Sequence, residues 1–431
     1  MSICHEHGRL ARGFVVGVVA VCVTAVCSPA SVKAEDEVVN TDKGPVRGIV
    51  TSTTLEFLGI PYAAAPVGDL RWQPPHPHAR WRKPLDATRF GNSCAQPESI
   101  SDPASDAEDC LFLNVYAPRL TGRDDPERDM ERNSDDRRPH RQPVMVWLHG
   151  GGLTCGASNA YDPVKLVEEG HVIVVTINYR LGLLGFLSHP SLTAESPDAA
   201  SGNYGLMDQQ FALRWVRRNI ALFGGDPDNI TIFGESGGGL SVHSNLASPT
   251  AAGLFHKAIV QSGAYSLTQP ALASAEALGT FFASLSGCSS QTAVCLRALP
   301  VATILAVQGS VLPNGVVPTV DGKVLTQSVA AAFASGQFNR GPVIEGSNHD
   351  EWRFFVGTTE LQTGTPLTAA GYIPAIAATL GVSASDSTAL ATFVYPLAAY
   401  PPPSTAQEDP MYAPPGVKTS PEIAIPDKMK A

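Results

Sequence analysis

The chain has 431 residues, of which 44% are hydrophobic and 16% charged, and its formal net charge at pH 7 is −10. A chain of this length and hydrophobic content can bury one large core, so we expect one elaborated globular domain. The acidic balance argues against nucleic-acid binding as a main role, because phosphate recognition depends on clusters of Lys and Arg. It indicates nothing about a substrate.

The N-terminal 34 residues have the pattern of a secretory signal peptide. Two arginines precede the apolar stretch 14–26, and small residues at 32 and 34 form a cleavage site. The stretch is too short to span a membrane, which takes about 20 residues. Cys27 as a lipid anchor is the less favoured alternative, because a bulky valine precedes it. We therefore expect a secreted or periplasmic protein without a stable membrane span.

Beyond residue 34, predicted strands and helices alternate, which favours an α/β fold with a mostly parallel central sheet flanked by helices. Strands are predicted in 38–63 (short and antiparallel), 111–116, 144–148, 172–177, 230–233, 258–261 and 342–345; helices are predicted at 208–220, 238–246, 274–285 and 386–394. We expect 274–285 and 386–394 to form a cap over the site. The charged segment 119–142 predicts an exposed loop, and the proline-rich segment 401–431 a disordered tail after a domain of residues 35–400.

The run from Phe223 to Gly239 places one serine at the corner between a strand and a helix. Residues 230–233 are β-branched or aromatic, as in a strand, and Gly234 and Gly238 flank Ser236 in the pattern G-x-S-x-G. This pattern is typical of a nucleophile elbow, where glycines permit a tight turn that exposes the hydroxyl at a helix N-terminus. A serine in an ordinary glycine-rich loop is the alternative, and the strand before it argues against that reading.

A second glycine-rich segment lies upstream. The strand 144–148 runs directly into His149-Gly150-Gly151-Gly152, which has the H-G-G-G pattern of an oxyanion loop. Bare glycine amides can approach a substrate oxygen, and the amide after Ser236 would be a further donor. A plain strand-to-loop turn is the alternative, but the two motifs occur in the order that a hydrolase requires.

These motifs resemble those of the type-B carboxylesterases, a family of α/β-hydrolases that includes bacterial esterases and the cholinesterases. Further matching segments lie at 57–63, 71–72, 108–114, 178–180, 202–206 and 255–263, so the resemblance covers about residues 38–400. It implies an α/β-hydrolase fold and a small-molecule carboxylic ester as substrate. It implies Ser236 as nucleophile and Gly151, Gly152 and Gly237 as oxyanion donors. The family usually has alanine after the serine; glycine here keeps the N–H.

The resemblance also implies a triad acid, but the matching histidine is missing. The segment 346–351 resembles the acid loop, which makes Glu351 the acid. In this fold the histidine follows the acid, yet none of the eleven histidines lies beyond Glu351. His349 is the geometric long shot. His149 belongs to the oxyanion loop, His243 lies in the helix after the nucleophile and should point elsewhere, and His256 is expected in a packing position. Because loss of a triad member lowers turnover by about 10⁴- to 10⁶-fold, we expect weak activity or none.

The missing histidine loop has a structural counterpart in the expected fold. The familiar pattern stops near residue 400, so we expect a domain that lacks its C-terminal part. One edge of the sheet and a strip of apolar surface would then be uncovered, which predicts reduced stability and aggregation.

Five cysteines remain after the signal peptide, and export to an oxidising compartment permits disulfides. The resemblance implies the bridges Cys94–Cys110 and Cys288–Cys295, and leaves Cys155 as a buried free thiol near the oxyanion loop. Metal binding is the competing reading, but no C-x-x-C or Cys/His pairing appears, and we expect no metal or cofactor.

Two functional hypotheses remain. The first is a serine carboxylic-ester hydrolase that works through an acyl-enzyme; the second is a non-catalytic binding protein on the same fold. Ser236 and Glu351 together favour the first, while the missing histidine favours the second or a defective copy. A lipase-like or peptidase relative fits the motifs less well. Because the loop 95–109 contains no tryptophan, we do not expect a quaternary ammonium substrate.

Overall fold

The computed structural model describes residues 36–99, 102–119, 141–264, 266–312, 315–349, 351–365, 367–380 and 382–394. The predicted signal peptide, most of the predicted loop 119–142 and the predicted tail 401–431 lie outside these ranges. No helix in the described ranges combines the length and apolar character needed to cross a bilayer.

One ten-stranded sheet runs through the described residues. Its strands are β1 (Asp36–Asn40), β2 (Pro45–Val50), β3 (Thr54–Pro61), β4 (Leu85–Asp86), β5 (Phe112–Pro118), β6 (Gln142–Leu148), β7 (Ile173–Ile177), β8 (Gly225–Glu235), β9 (Lys257–Gln261) and β10 (Val343–Gly346). Their order is β1-β2-β3-β5-β7-β6-β8-β9-β10, with β4 beside β2.

The sheet has an antiparallel half and a parallel half. The pairs from β1 through β2, β3 and β5 to β7 are antiparallel. The pairs from β7 through β6, β8 and β9 to β10 are parallel. The antiparallel opening follows from the short connections between β1, β2 and β3, whereas parallel neighbours need crossover connections. The predicted α/β class is confirmed, and the parallel arrangement is concentrated where the two glycine motifs lie.

Helices lie in the connections between strands. They are α1 (Val164–Gly170), α2 (Gly182–Phe186), α3 (Pro190–Glu195), α4 (Tyr204–Asn219), α5 (Gly237–Ala247), α6 (Leu272–Leu285), α7 (Ala293–Arg297), α8 (Val301–Val311), α9 (Val329–Ser335), α10 (Glu351–Thr363), α11 (Ala369–Leu380) and α12 (Ala384–Ala389). The helix predicted at 386–394 is divided between α12 and a following π-helical turn, Leu390–Val394.

The core lies around the central strands and α4. All five residues of β7 are buried, as expected of a strand covered on both faces. On α4, Trp215 is fully buried and contacts the ring of Phe223, which in turn packs edge-on against Phe57 of β3. This aromatic cluster joins the first turn after α4 to the antiparallel half of the sheet.

A buried ion pair fixes the start of α4 to the loop after β7. Asp208 accepts hydrogen bonds from Nε and Nη2 of Arg180, each at 2.8 Å, and a third from the Arg180 amide at 3.1 Å. Burial raises the pKa of the Asp208 carboxyl, while the Arg180 guanidinium opposes that rise. The three hydrogen bonds hold the charges in a region without solvent, where an unpaired charge would be strongly unfavourable.

The cysteines and the last strand can be compared with the expectations. Cys94 is bonded to Cys110 and Cys288 to Cys295. Cys155 is a free thiol, as expected, but it is half-buried rather than buried. Its Sγ lies 3.4 Å from the Gly151 carbonyl. All four residues of β10 are exposed, and β10 is the last strand in the order of the described sheet.

Candidate active site

Ser236 lies at the corner between β8 and α5. Its backbone has φ 54° and ψ −119°, an unusual conformation for a residue with a side chain. Its amide donates to the Gln261 carbonyl at 2.9 Å, and its carbonyl accepts from the Leu240 amide at 2.9 Å. The backbone is therefore fixed on both sides. The half-buried hydroxyl does not cap the helix and has no hydrogen-bond partner among the described residues.

The elbow requires glycine because two main chains meet there. A Cβ on Gly238 would lie 1.9 Å from the carbonyl oxygen of Leu148, which ends β6. A Cβ cannot lie that close to a carbonyl oxygen, so only glycine allows α5 to begin against β6. Because Leu148 is also paired with Gly234 across the sheet, the elbow and the loop after β6 come together.

The loop after β6 presents backbone amides on one side. Gly151, Gly152 and Leu153 take left-handed φ values of 93°, 60° and 60°. The Gly151 carbonyl accepts hydrogen bonds from the amides of Thr154 and Cys155, at 3.0 and 3.1 Å. Within the described ranges, the amides of 151, 152 and 153 have no assigned acceptor. Consecutive unpaired amides of this kind form a concave site that favours an anion.

The amide site faces the elbow. A Cβ on Gly237 would lie 2.9 Å from the amide nitrogens of both Gly152 and Leu153, and Cβ of Ser236 lies 3.4 Å from the Cβ position of Gly150. The structure thus brings the predicted donor residues 151, 152 and 237 beside Ser236. Leu153 was missed by the sequence analysis, because its positive φ is not expected of a leucine.

A buried glutamine holds this loop in place. Nε2 of Gln96 donates to the Gly156 carbonyl at 3.2 Å, and the Gly156 amide donates to Oε1 of Gln96 at 2.7 Å. Gln96 is fully buried and lies two residues after Cys94, inside the loop that the disulfide to Cys110 closes. The disulfide loop therefore sets the position of the oxyanion loop through a paired amide contact.

Two carboxyl groups lie near the elbow. Glu351 is the first residue of α10; its Oε2 accepts from Nδ2 of Asn348 at 2.9 Å. Its Oε1 is buried and has no partner among the described residues. Burial, and then the neighbouring charge of Glu351, raise the pKa of Glu235. Oε2 of Glu235 lies 3.0 Å from the Cβ position of Gly150, so Glu235, which the sequence analysis missed, also faces the loop.

The histidines that we considered as bases have other contacts. His149 stacks on Tyr179, its Nδ1 lies 2.9 Å from the Gly150 carbonyl, and burial lowers its pKa to about 4. His256 accepts a hydrogen bond from the Ile230 amide through Nδ1, a packing role. His243 lies 3.2 Å from Glu345 on β10. His349 lies in the exposed turn before Glu351.

The described residues contain no cluster of three or more His, Cys, Asp or Glu side chains with the geometry of a metal site. What the site does contain is a serine on a strained strand-to-helix corner, opposite unpaired amides, at the carboxyl ends of parallel strands. That combination defines an α/β-hydrolase.

Comparisons with known proteins identify the family. Residues 35–370 match the model of the carboxylesterase family, and the chain belongs to that family. It is 37% identical to the fumonisin B1 esterase of Sphingopyxis macrogoltabida, over 84% of this chain and 64% of that protein. It is 38% identical to the para-nitrobenzyl esterase of Bacillus subtilis, over 78% of this chain and 67% of that protein.

The fold comparison agrees. A crystal structure of a carboxylesterase from Geobacillus stearothermophilus superposes with a TM-score of 0.69 at 34% identity, covering 87% of this chain and 72% of that one. The chain thus spans about two thirds of the length of the curated relatives that it matches.

Proposed function

We propose that this chain carries the nucleophile and oxyanion site of a carboxylic-ester hydrolase. Oγ of Ser236 attacks the ester carbonyl carbon, and the amides of Gly151, Gly152 and Gly237 stabilise the oxygen that becomes negative. A base takes the hydroxyl proton and passes it to the departing alkoxide, so collapse of this intermediate releases the alcohol and leaves an acyl-Ser236, which water then hydrolyses to the acid and free Ser236. Glu351 is the acid that orients the base. The family membership supports ester hydrolysis as the reaction class.

The observation that carries this proposal is the contact between Gly237 and the unpaired amides of residues 152 and 153. Such amides stabilise an oxyanion because they are already oriented before the reaction begins, so no reorganisation is needed. Leu153 is fully buried, and a loop with a purely structural role would have such a buried amide paired, since an unpaired buried amide is unfavourable.

The proposal does not identify a residue that accepts the proton of the Ser236 hydroxyl. The hydroxyl of Ser236 needs a base, and no histidine in the sequence follows Glu351. We therefore propose that the 431-residue chain alone turns over esters slowly or not at all. Added imidazole, a small soluble base of the same chemistry as a histidine side chain, should increase the acylation of Ser236.

The substrate proposal is a small carboxylic ester, in line with the names of the two bacterial relatives. The proposed location is outside the cytoplasm, supported by the signal-like N-terminal sequence and by the two disulfides.

The test compares the purified chain with Ser236→Ala, using p-nitrophenyl acetate with and without imidazole. Because imidazole itself reacts with the ester, the Ser236→Ala protein supplies the background rate. We expect release of p-nitrophenol above that background, and one acetyl group on the peptide that contains Ser236, detected by mass spectrometry.

The alternative is a binding protein that keeps the fold without catalysis. It is favoured by the missing histidine alone. Equal rates for the two proteins in both conditions, with no acetyl group on Ser236, would reject the hydrolase proposal in favour of this alternative.

A further inference from the structure

A buried histidine on the nucleophile helix contacts a carboxylate on the edge strand. Nε2 of His243, on α5, lies 3.2 Å from Oε1 of Glu345, on β10. The histidine side chain is only 2% exposed, whereas that of Glu345 is 48% exposed. Phe333 of α9 packs edge-on against the imidazole, with ring centroids 5.5 Å apart. The contact therefore links the interior of the molecule to the last strand of the sheet.

The two elements that this contact joins are those that bear the proposed catalytic residues. Helix α5 begins directly after Ser236, and His243 lies two turns along it. Strand β10 ends at Gly346, and the chain reaches Glu351 five residues later. A shift of β10 relative to α5 would therefore change the separation of Ser236 and Glu351.

Strand β9 lies between these elements and pairs with β10 along its length, and Asn339, just before β10, bonds to the last turn of α5 through the Leu246 and Asn245 carbonyls. The Ser236 amide donates to the Gln261 carbonyl, and the Ser262 amide donates to the Gly346 carbonyl at 2.7 Å. In the described part of the chain, β10 pairs with β9 on one side and has no strand on the other. The contact between His243 and Glu345 adds to these backbone bonds in the middle of α5, where the Asn339 bonds do not reach.

The imidazole has one polar partner in the described residues. Donation to Glu345 requires the proton on Nε2, and Nδ1 is buried without an assigned partner. Glu345 and the Phe333 ring thus determine how the imidazole is oriented. A histidine that served only to fill space would leave two buried nitrogens unpaired, which leucine would avoid.

We propose that His243 and Glu345 are a positioning pair, which holds the acid-bearing strand against the nucleophile helix and so fixes the separation of Glu351 and Ser236. The importance of that separation rests on the proposed ester hydrolysis. The pair itself does not touch a substrate.

The variants are His243→Leu, which removes the hydrogen bond, and His243→Gln, whose amide nitrogen reaches about the same place as Nε2. Glu345→Ala and Glu345→Gln repeat the comparison from the other side. His189→Gln is the matched control, because His189 is equally buried but bonded to Ser191 and Gln291 instead.

Two measurements are made on each protein. Hydrogen exchange is followed across the whole chain, and the acetylation rate of Ser236 is measured in imidazole over a range of ester concentrations. For His243→Leu and Glu345→Ala we expect about tenfold faster exchange in 343–346 and 351–363. We expect acetylation at saturating ester to fall about 10- to 100-fold, at an unchanged half-saturating concentration, because misplacement of a catalytic group by 1 Å has effects of this size.

His243→Gln and Glu345→Gln should retain most of the protection from exchange and most of the acetylation rate. The control His189→Gln should change neither measurement. Faster exchange spread over the whole chain, or Gln variants as impaired as Leu and Ala, would overturn the proposal in favour of a general stability effect. If Ser236 of the unaltered chain takes no acetyl group, the hydrolase proposal fails. The exchange data still decide whether the pair holds β10, because they require no activity.

Discussion

Gly237 and Gly152 are in direct backbone contact, although they lie on two different parallel-strand connections. A Cβ on Gly237 would come within 2.9 Å of the Gly152 amide nitrogen, closer than real Cβ atoms approach other heavy atoms. The obstructing atoms are main-chain atoms of the amide loop, which cannot rotate away as a side chain would. Glycine at 237 therefore determines how closely the amides approach Ser236.

Replacement of Gly237 by alanine should separate the elbow from the amide loop. Alanine keeps the N–H of residue 237, and the family usually has alanine there, so we expect Ser236-dependent acetylation in imidazole to fall only about tenfold, through displacement of the amides of 152 and 153, which is less than the effect of losing a whole oxyanion donor. We also expect the free energy of unfolding to fall by about 1–3 kcal/mol, as in other overpacked sites. The ester assay and urea unfolding measure the two effects.

Gly309→Ala is the matched control for that substitution. Gly309 lies inside α8, and a Cβ there would meet no atom within 4 Å. Alanine favours a helix, so the control should be stabilised by about 0.5–1 kcal/mol with unchanged acetylation. Full acetylation by Gly237→Ala would show that the loop adjusts freely and that the contact does not control the site.

Much of the fold could be predicted from the sequence, because the parallel strands are short apolar runs bounded by glycine motifs. The strands predicted at 144–148, 172–177 and 258–261 each agree with the structure within two residues. Strand β8 begins five residues before the predicted 230–233, at Gly225, since Asp226 and Pro227 do not resemble strand residues. Pairing with β6 extends the strand there, which no local pattern encodes.

The candidate site was only partly accessible to the same reasoning. The motifs identified Ser236 and the glycine loop, because their backbone geometry depends on glycines that are visible in the sequence. Glu235 and Leu153 were missed. The position of Glu235 against Gly150 depends on how β8 and β6 align across the sheet, and the positive φ of Leu153 depends on the tertiary contacts of its loop.

The amide contact of Gln96 should be essential for the shape of the oxyanion loop. Gln96→Leu has a similar volume but removes both hydrogen bonds to Gly156 and leaves a buried amide and carbonyl unpaired. We expect the free energy of unfolding to fall by about 2–3 kcal/mol, together with a lower acetylation rate. Gln73→Leu, which removes an exposed hydrogen bond to Glu195, should change stability by less than about 0.5 kcal/mol. Equal effects in urea unfolding of the two variants would contradict this role.

The ion pair between Arg180 and Asp208 should be far more important to stability than a surface pair. Asp208→Ala leaves the buried guanidinium without its carboxylate, so we expect a loss of about 3–5 kcal/mol in the free energy of unfolding. Asp198→Ala removes an exposed pair with Lys323 and should cost about 1 kcal/mol or less. Urea unfolding of both variants distinguishes them, and a small effect of Asp208→Ala would mean that water enters the site and solvates Arg180.

The carboxyl of Glu235 should reduce stability at neutral pH. Burial and the charge of Glu351 raise its pKa in the folded protein above the ordinary value. A raised folded pKa means that the folded state binds the proton more tightly than the unfolded chain does. The stability associated with Glu235 is therefore complete below the ordinary pKa and is lost as the pH rises through the raised one.

Glu235→Gln removes this charge and nearly keeps the shape. We expect its melting temperature to exceed that of the unaltered protein by about 1–2 °C at pH 7–8, where Glu235 would be ionised. This difference in melting temperature should vanish near pH 4, where the Glu235 carboxyl is protonated and, like the glutamine amide that replaces it, carries no charge. Glu37→Gln, at an exposed position on β1, controls for the change in net charge. Thermal unfolding followed from pH 4 to pH 8 provides the measurement. A difference that is the same at every pH would indicate that the substitution acts through packing, not through the loss of a charge beside Glu351.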